Sequence, residues 1–255
     1  MMHMRSIGTL LTFMLLFFVG CRPDEEVVPD PPVSPPTTLR VMVVPHWNGT
    51  PFNMNDVYVN VNDYRVKVQA IKLYLADVRL VVDGSETVVK DIDFFNLESG
   101  TASVEWSVPA GTWTSLRAGL GVPAAMNAAD PITYPTNHPL SLSTGTWWSW
   151  SAGYRFLQFD GRYDLDGSGT GPVEELFSMH TGMDACYTEF DLDLGGPFTI
   201  PAGQTKTLTL RMDVSKFFYS DTDTLDLTTE NQTHGENVPL ALELTNNAVH
   251  SFSAE

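Results

Sequence analysis

From Leu39 onward the chain is cut into short runs of β-branched and aromatic residues separated by Gly, Pro, Asn and Asp. Few folds satisfy that constraint. Such runs fit pleated, half-buried strands, and the separators fit turns. Residues 39–44, 58–62, 64–68, 71–82, 87–95, 103–108, 112–118, 147–159, 176–180, 198–200, 205–214 and 238–244 read as strands. In 71–82 the period is two, with Ile71, Leu73 and Leu75 on one side and Lys72 and Tyr74 on the other. Asp83 and Gly84 mark a hairpin to the next strand. Helical patterning is confined to one turn at 214–219. Strands without alternating helices predict an all-β fold, an antiparallel β-sandwich, and 255 residues suffice for a single large domain of this kind.

The first twenty residues stand apart from this pattern. Arg5 supplies a positive start, and the apolar run 7–18 is too short for a transmembrane helix. Gly20 then precedes Cys21 in the manner of a bacterial lipobox. Residues 1–20 are therefore expected to be a lipoprotein signal peptide, with Cys21 the lipidated first residue of the mature chain. More than one acyl chain there gives a stable anchor, placing the protein on the bacterial outer membrane, at its periplasmic or cell-surface face. Residues 21–38, dense in proline and acids, read as a solvated tether, and 39–255 as the folded domain. With Cys21 lipidated, Cys186 has no partner for a disulfide. It reads as a small buried hydrophobe or as a soft ligand near His180.

Acidic residues outnumber basic ones by 31 to 14, which excludes a nucleic-acid partner and favours a surface that attracts cations. One loop has a specific acidic pattern. Asp164, Asp166 and Ser168 alternate, Gly169 follows, Thr170 offers a carbonyl, and Glu175 closes the spacing of a calcium loop. Pro172 inside the loop and strand-like flanks oppose that reading, and a plain solvated turn is the alternative. No nucleophile elbow, zinc-protease helix or phosphate-cradling glycine loop occurs, so the chain is not expected to be an enzyme. The segment 146–180 is the densest in potential chemistry. Trp147, Trp148 and Trp150 crowd its start and His180 ends it, the composition of either a core or a redox-active metal site.

Several of these pieces recur in order in a known family. They are Val43-Val44-Pro45-His46 with Gly49-Thr50-Pro51-Phe52, and the strand bearing Lys72, Tyr74, Val78 and Leu80, with Ala76 where serine is usual. Val108-Pro109-Ala110-Gly111-Thr112, Gly119-Leu120-Gly121-Val122 and Asn127 come next. His138-Pro139-Leu140, Trp148-Ser149-Trp150, Gly153-Tyr154-Arg155-Phe156 and His180-Thr181-Gly182 form the most recognisable block. Met212-Asp213-Val214 and Thr233-His234-Gly235 end the series. In these residues the chain resembles the MbnP-like copper-binding proteins, over nearly all of 39–250.

The resemblance implies a β-sandwich that binds, stores or relays copper. It also implies a di-haem, MauG-like peroxidase partner, since a relative carries a tryptophan oxidised to kynurenine. An opened indole beside imidazoles gives an electron-rich nitrogen for Cu(I). His46 and His180 are the first ligand candidates, His138 and His234 follow, and Trp148 and Trp150 are the candidates for oxidation. The competing reading is a non-catalytic carbohydrate-binding or adhesion sandwich, with stacked tryptophans and structural calcium.

Overall fold

The computed structural model describes residues 36–149 and 151–255. The signal peptide, Cys21, the tether as far as residue 35, and Trp150 lie outside the described residues. In chain order the strands are β1 (Thr38–Trp47), β2 (Thr50–Pro51), β3 (Tyr58–Val59), β4 (Arg65–Val82), β5 (Ser85–Asn96), β6 (Ala102–Ser107), β7 (Gly111–Leu120), β8 (Trp147–Ser149), β9 (Gly153–Asp164), β10 (Glu175–Gly182), β11 (Thr188–Ile200), β12 (Thr205–Asp213), β13 (Gln232–Thr233) and β14 (Phe252–Ala254). Two short α-helices join them, α1 (Ala124–Asn127) and α2 (Val238–Val249).

The strands form two sheets. The smaller runs β14-β12-β1-β2, with β6 also on β1, and the larger runs β11-β7-β4-β9-β10-β13, with β3 and β5 on β4 and β8 on β9. The two pack as the expected sandwich around one continuous apolar core. Two ladders depart from the antiparallel expectation: β1 with β12, and β10 with β13, are parallel. Each joins segments far apart in sequence, where no hairpin dictates antiparallel pairing.

The spine is β4, 18 residues long. Leu73 pairs with Phe95 of β5 on one edge and Leu157 of β9 on the other, whereas Leu75 pairs with Asp93 of β5 and Leu120 of β7. The β9 edge is thus handed over to β7 at this point, and the sheet splits. Leu73, Leu75, Val78 and Leu80 face the main core. Tyr74 and Ala76, on the other face, enter a second core with Val122, Leu140, Tyr154, Phe156 and Cys186. The strand is therefore buried on both faces, and Tyr74, expected on a polar side, is fully buried. Its hydroxyl hydrogen-bonds Thr146 Oγ1 at 2.6 Å and donates to the Pro139 carbonyl, anchoring the loop that leads to β8. The hairpin after β4 is as expected: Asp83 and Gly84 have φ of 49° and 75°, the left-handed pair that a tight two-residue turn needs.

Residues 238–244, expected as a strand, are instead the start of α2. The Asn237 side chain caps the helix by accepting from Leu240 N, and Pro239 fits its first turn. Leu240, Leu244 and Ala248 then recur at helical spacing and enter the main core. The single turn expected near 214 is present as a 3-10 helix, Val214–Phe218.

Candidate functional site

Leu157, Phe159, Phe177 and Met179 of the β9–β10 pair point into the main core. Alternation then sends Gln158, Asp160, Ser178 and His180 to the outer face of the sheet. His180 lies opposite Gln158 and Ser178 opposite Asp160, so the four make a square of polar side chains. On the far side of β10, Ser178 aligns in parallel with Gln232 of β13, and the next residue but one is His234. Gly235, at φ 96°, turns the chain immediately afterwards, and a Cβ there would lie 3.6 Å from the Trp148 ring. Trp148 arrives from β8, which pairs with the start of β9.

The square, the turn and β8 converge. The rings of His180 and His234 are 4.8 Å apart between centroids. Trp148 meets both edge-on, at 6.0 Å from His180 and 5.9 Å from His234. The Arg155 guanidinium lies over the Trp148 ring at 5.2 Å. Asp160 Oδ1 is 2.9 Å from His180 Nε2 and accepts from Ser178 Oγ at 2.7 Å, while Oδ2 accepts from the Gln158 amide at 2.6 Å. Ser178 Oγ is in turn 3.0 Å from His234 Nε2.

His180 is 8% exposed, and its Nδ1 is buried with no hydrogen-bond partner. A buried ring nitrogen without a partner is costly in a protein that binds nothing there, and is what a metal ligand looks like without its metal. Burial opposes the charge on Asp160, but hydrogen bonds from His180, Gln158 and Ser178 outweigh it and hold the carboxyl below the usual carboxylate range. Burial, followed by the neighbouring His180, holds His234 below the usual histidine range, and the Gln232 amide lies 3.2 Å from its Nδ1. Among the described residues, no three His, Cys, Asp or Glu side chains form a metal-binding group. The site therefore offers two imidazoles and an indole.

The other sequence candidates lie elsewhere. His46 ends β1 in the smaller sheet, where its Nδ1 donates to the Val44 carbonyl and its surroundings are Arg211, Asp213 and Lys216. It is His234, not His46, that joins His180. His138 stacks on Tyr134 and accepts from the Leu140 backbone N–H at 3.1 Å, a loop-shaping role in the second core's cover. Cys186 is fully buried in that second core, which raises its thiol pKa, and its polar partners there are Gly182 and Thr245. Trp147 packs edge-on against Tyr154 in the second core, and of the Trp148 and Trp150 pair that the carbohydrate reading needs, Trp150 lies outside the described residues.

The acidic loop corrects the calcium expectation. Its oxygens converge on a guanidinium rather than on an open cation site. Arg65, 7% exposed, pairs with Asp164 and donates to the carbonyls of Asp166 at 3.0 Å and Gly171 at 2.7 Å. Asp166 Oδ1 is occupied by the backbone and hydroxyl of Ser168. Ser168, Thr170 and Glu175 are exposed, with Glu175 already part of β10. A side-chain cation has taken the position that the spacing alone offers to a metal.

Asp160, Ser178, Gln158 and Gln232 were not singled out in the sequence. The available signal was polar alternation on both arms of one hairpin, but that is also how a solvent-facing sheet reads.

Comparison with curated proteins found no match. A solved structure, MbnP from Methylosinus trichosporium, is similar at a TM-score of 0.47 and 15% identity, over 73% of this chain and 78% of that one. The family model MbnP matches residues 36–238, which takes in β1 through β13 and every residue of the Trp148, His180 and His234 site. The chain belongs to the MbnP family.

Proposed function

We propose that this protein binds copper between His180 and His234, with Trp148 becoming a further nitrogen ligand once its indole is oxidatively opened. Membership of the MbnP family suggests a copper-related role outside the cytoplasm. The observation that carries the finer reading is the buried, unpartnered Nδ1 of His180, beside a second imidazole and under the edge of an indole. Imidazole nitrogens suit copper, and Cu(I) accepts low coordination, so two rings suffice for a first complex. Two equivalents of hydrogen peroxide would break the C2–C3 bond of the Trp148 indole and place one oxygen on each carbon, giving the N-formyl ketone and two waters, and hydrolysis by a further water would release formate and leave an aromatic amine beside the ketone. The oxidant would be peroxide, delivered by a di-haem partner. Trp148 is half-buried and shares its surroundings with Arg155, whose cation would have to be accommodated as the ring loses electrons.

Cu(I) affinity, measured by competition with a chromophoric chelator, tests the site. His180→Ala and His234→Ala are each expected to weaken binding at least about 100-fold, on the scale of losing one ligand bond. His46→Ala is expected to leave it unchanged. Full affinity in both site variants, or no binding before and after treatment with the haem partner and peroxide, would remove the copper reading.

A further inference from the structure

We infer that Asp160, acting through Ser178, fixes both imidazoles as Nε2–H tautomers, which leaves the Nδ1 of His180 unpartnered and that of His234 accepting from Gln232, a donor that a ligand there would displace. The inference rests on the copper reading for the identity of that ligand, but not for the tautomers themselves.

The hydrogen-bond chain leaves little choice. A carboxylate oxygen only accepts, so His180 must donate from Nε2 across the 2.9 Å contact with Asp160 Oδ1. The single hydroxyl proton of Ser178 goes to the same oxygen, at 2.7 Å. Ser178 Oγ then has only lone pairs to offer His234, whose Nε2, at 3.0 Å, must be the donor. The opposite side of His234 gives the same answer independently. There the amide nitrogen of Gln232, which only donates, is 3.2 Å from Nδ1, and Nδ1 must therefore accept. For His180, a proton on Nδ1 would be a buried donor with no acceptor. One carboxylate thus sets two rings at once, the nearer directly and the farther through a hydroxyl. The Gln158 amide on Oδ2 holds the carboxylate's own orientation. The pattern extends the rule that a metal-binding imidazole is oriented by what its other nitrogen bonds. It makes Asp160 a positioning residue rather than a ligand.

The test uses long-range proton–nitrogen NMR of the histidine rings in the intact metal-free protein, repeated after adding Cu(I), which is diamagnetic. Wild type is expected to show Nε2–H for both His180 and His234, with Cu(I) moving the two Nδ1 resonances. Asp160→Ala is expected to give mixed tautomers at His180, with His234 still held by Gln232, and to lower Cu(I) affinity about 10- to 100-fold. Asp160→Asn, whose carbonyl can still accept, should recover most of the tautomer preference. Ser178→Ala together with Gln232→Ala removes both partners of His234 and should give it mixed tautomers while leaving His180 as in wild type, which also covers the case of an Asp160→Ala protein that does not fold. Nδ1–H rings in wild type, a His180 tautomer indifferent to Asp160→Ala, a His234 tautomer indifferent to the Ser178→Ala, Gln232→Ala double variant, or Cu(I) shifts at Nε2 would each overturn the inference. Tautomers as expected with no Cu(I) response would support the inference and remove the copper reading instead.

Discussion

Glu243, on α2, is a carboxylate without a partner: its Oε1 is buried and makes no hydrogen bond. Burial first, then Asp223 and Glu230, push its pKa from 4.5 up to about 7. The folded chain therefore holds this proton more tightly than the unfolded one, and stability falls as pH rises from 4.5 to 7 and stays lowered above that range. Glu243→Gln keeps the shape and removes the charge. After discounting for the part of this side chain that water reaches, the variant should be about 1 kcal/mol more stable than wild type at pH 8 and no more stable at pH 4.5. Urea melts at the two pH values measure this, and equal gains at both would show that charge is not the cause. At this same scale the sequence was only partly readable. His180 and Trp148 stood out because of their company in the family pattern. Asp160 and Ser178 did not, because a polar residue every second position on a strand ordinarily means water.

Among the elements, the loop after β9 and the helix α2 mark where local pattern and tertiary structure disagree. The loop carries oxygens at calcium spacing, yet the deciding group, Arg65, lies about a hundred residues earlier, as the first residue of β4. Adding calcium to the wild-type protein should therefore not raise its melting temperature, whereas Arg65→Met should cost about 3 kcal/mol by orphaning Asp164 and two carbonyls. A clear calcium-dependent rise in wild type would contradict this account. In α2, Val238, Leu240, Leu242 and Leu244 alternate as a strand would. Leu242 betrays the error: it is 40% exposed, although a strand would have placed it with the others. The cap at Asn237 and the later Ala248 and Val249 decide for the helix. By contrast the hairpin of 71–82 with 87–95 was legible, since its arms are adjacent in sequence and the turn residues fix the register, although the reading of 64–68 as a separate strand is corrected by the unbroken β4. What could not be read was the two-sided burial of β4, which depends on a loop more than forty residues downstream.

On the scale of the whole chain, a net charge of −17 surrounds the site proposed for copper. Such a field raises the local cation concentration without choosing among metals, so the choice is left to the imidazoles. Attachment to the membrane through Cys21 is the remaining part of the proposal. Cys21→Ser should move the protein from the membrane fraction to the soluble one, and a variant that stays with the membrane would exclude acylation at that position as the anchor.

The parallel ladder between β10 and β13 has a consequence in time. Trp148, Asp160 and His180 precede Gln232 and His234 in the chain by more than fifty residues and can pair without them. A parallel partner cannot form by simple hairpin closure; the chain must travel round and return. The two imidazoles are consequently brought together only once β13 has docked on β10. On the copper proposal, metal retention would then report that this last ladder has formed.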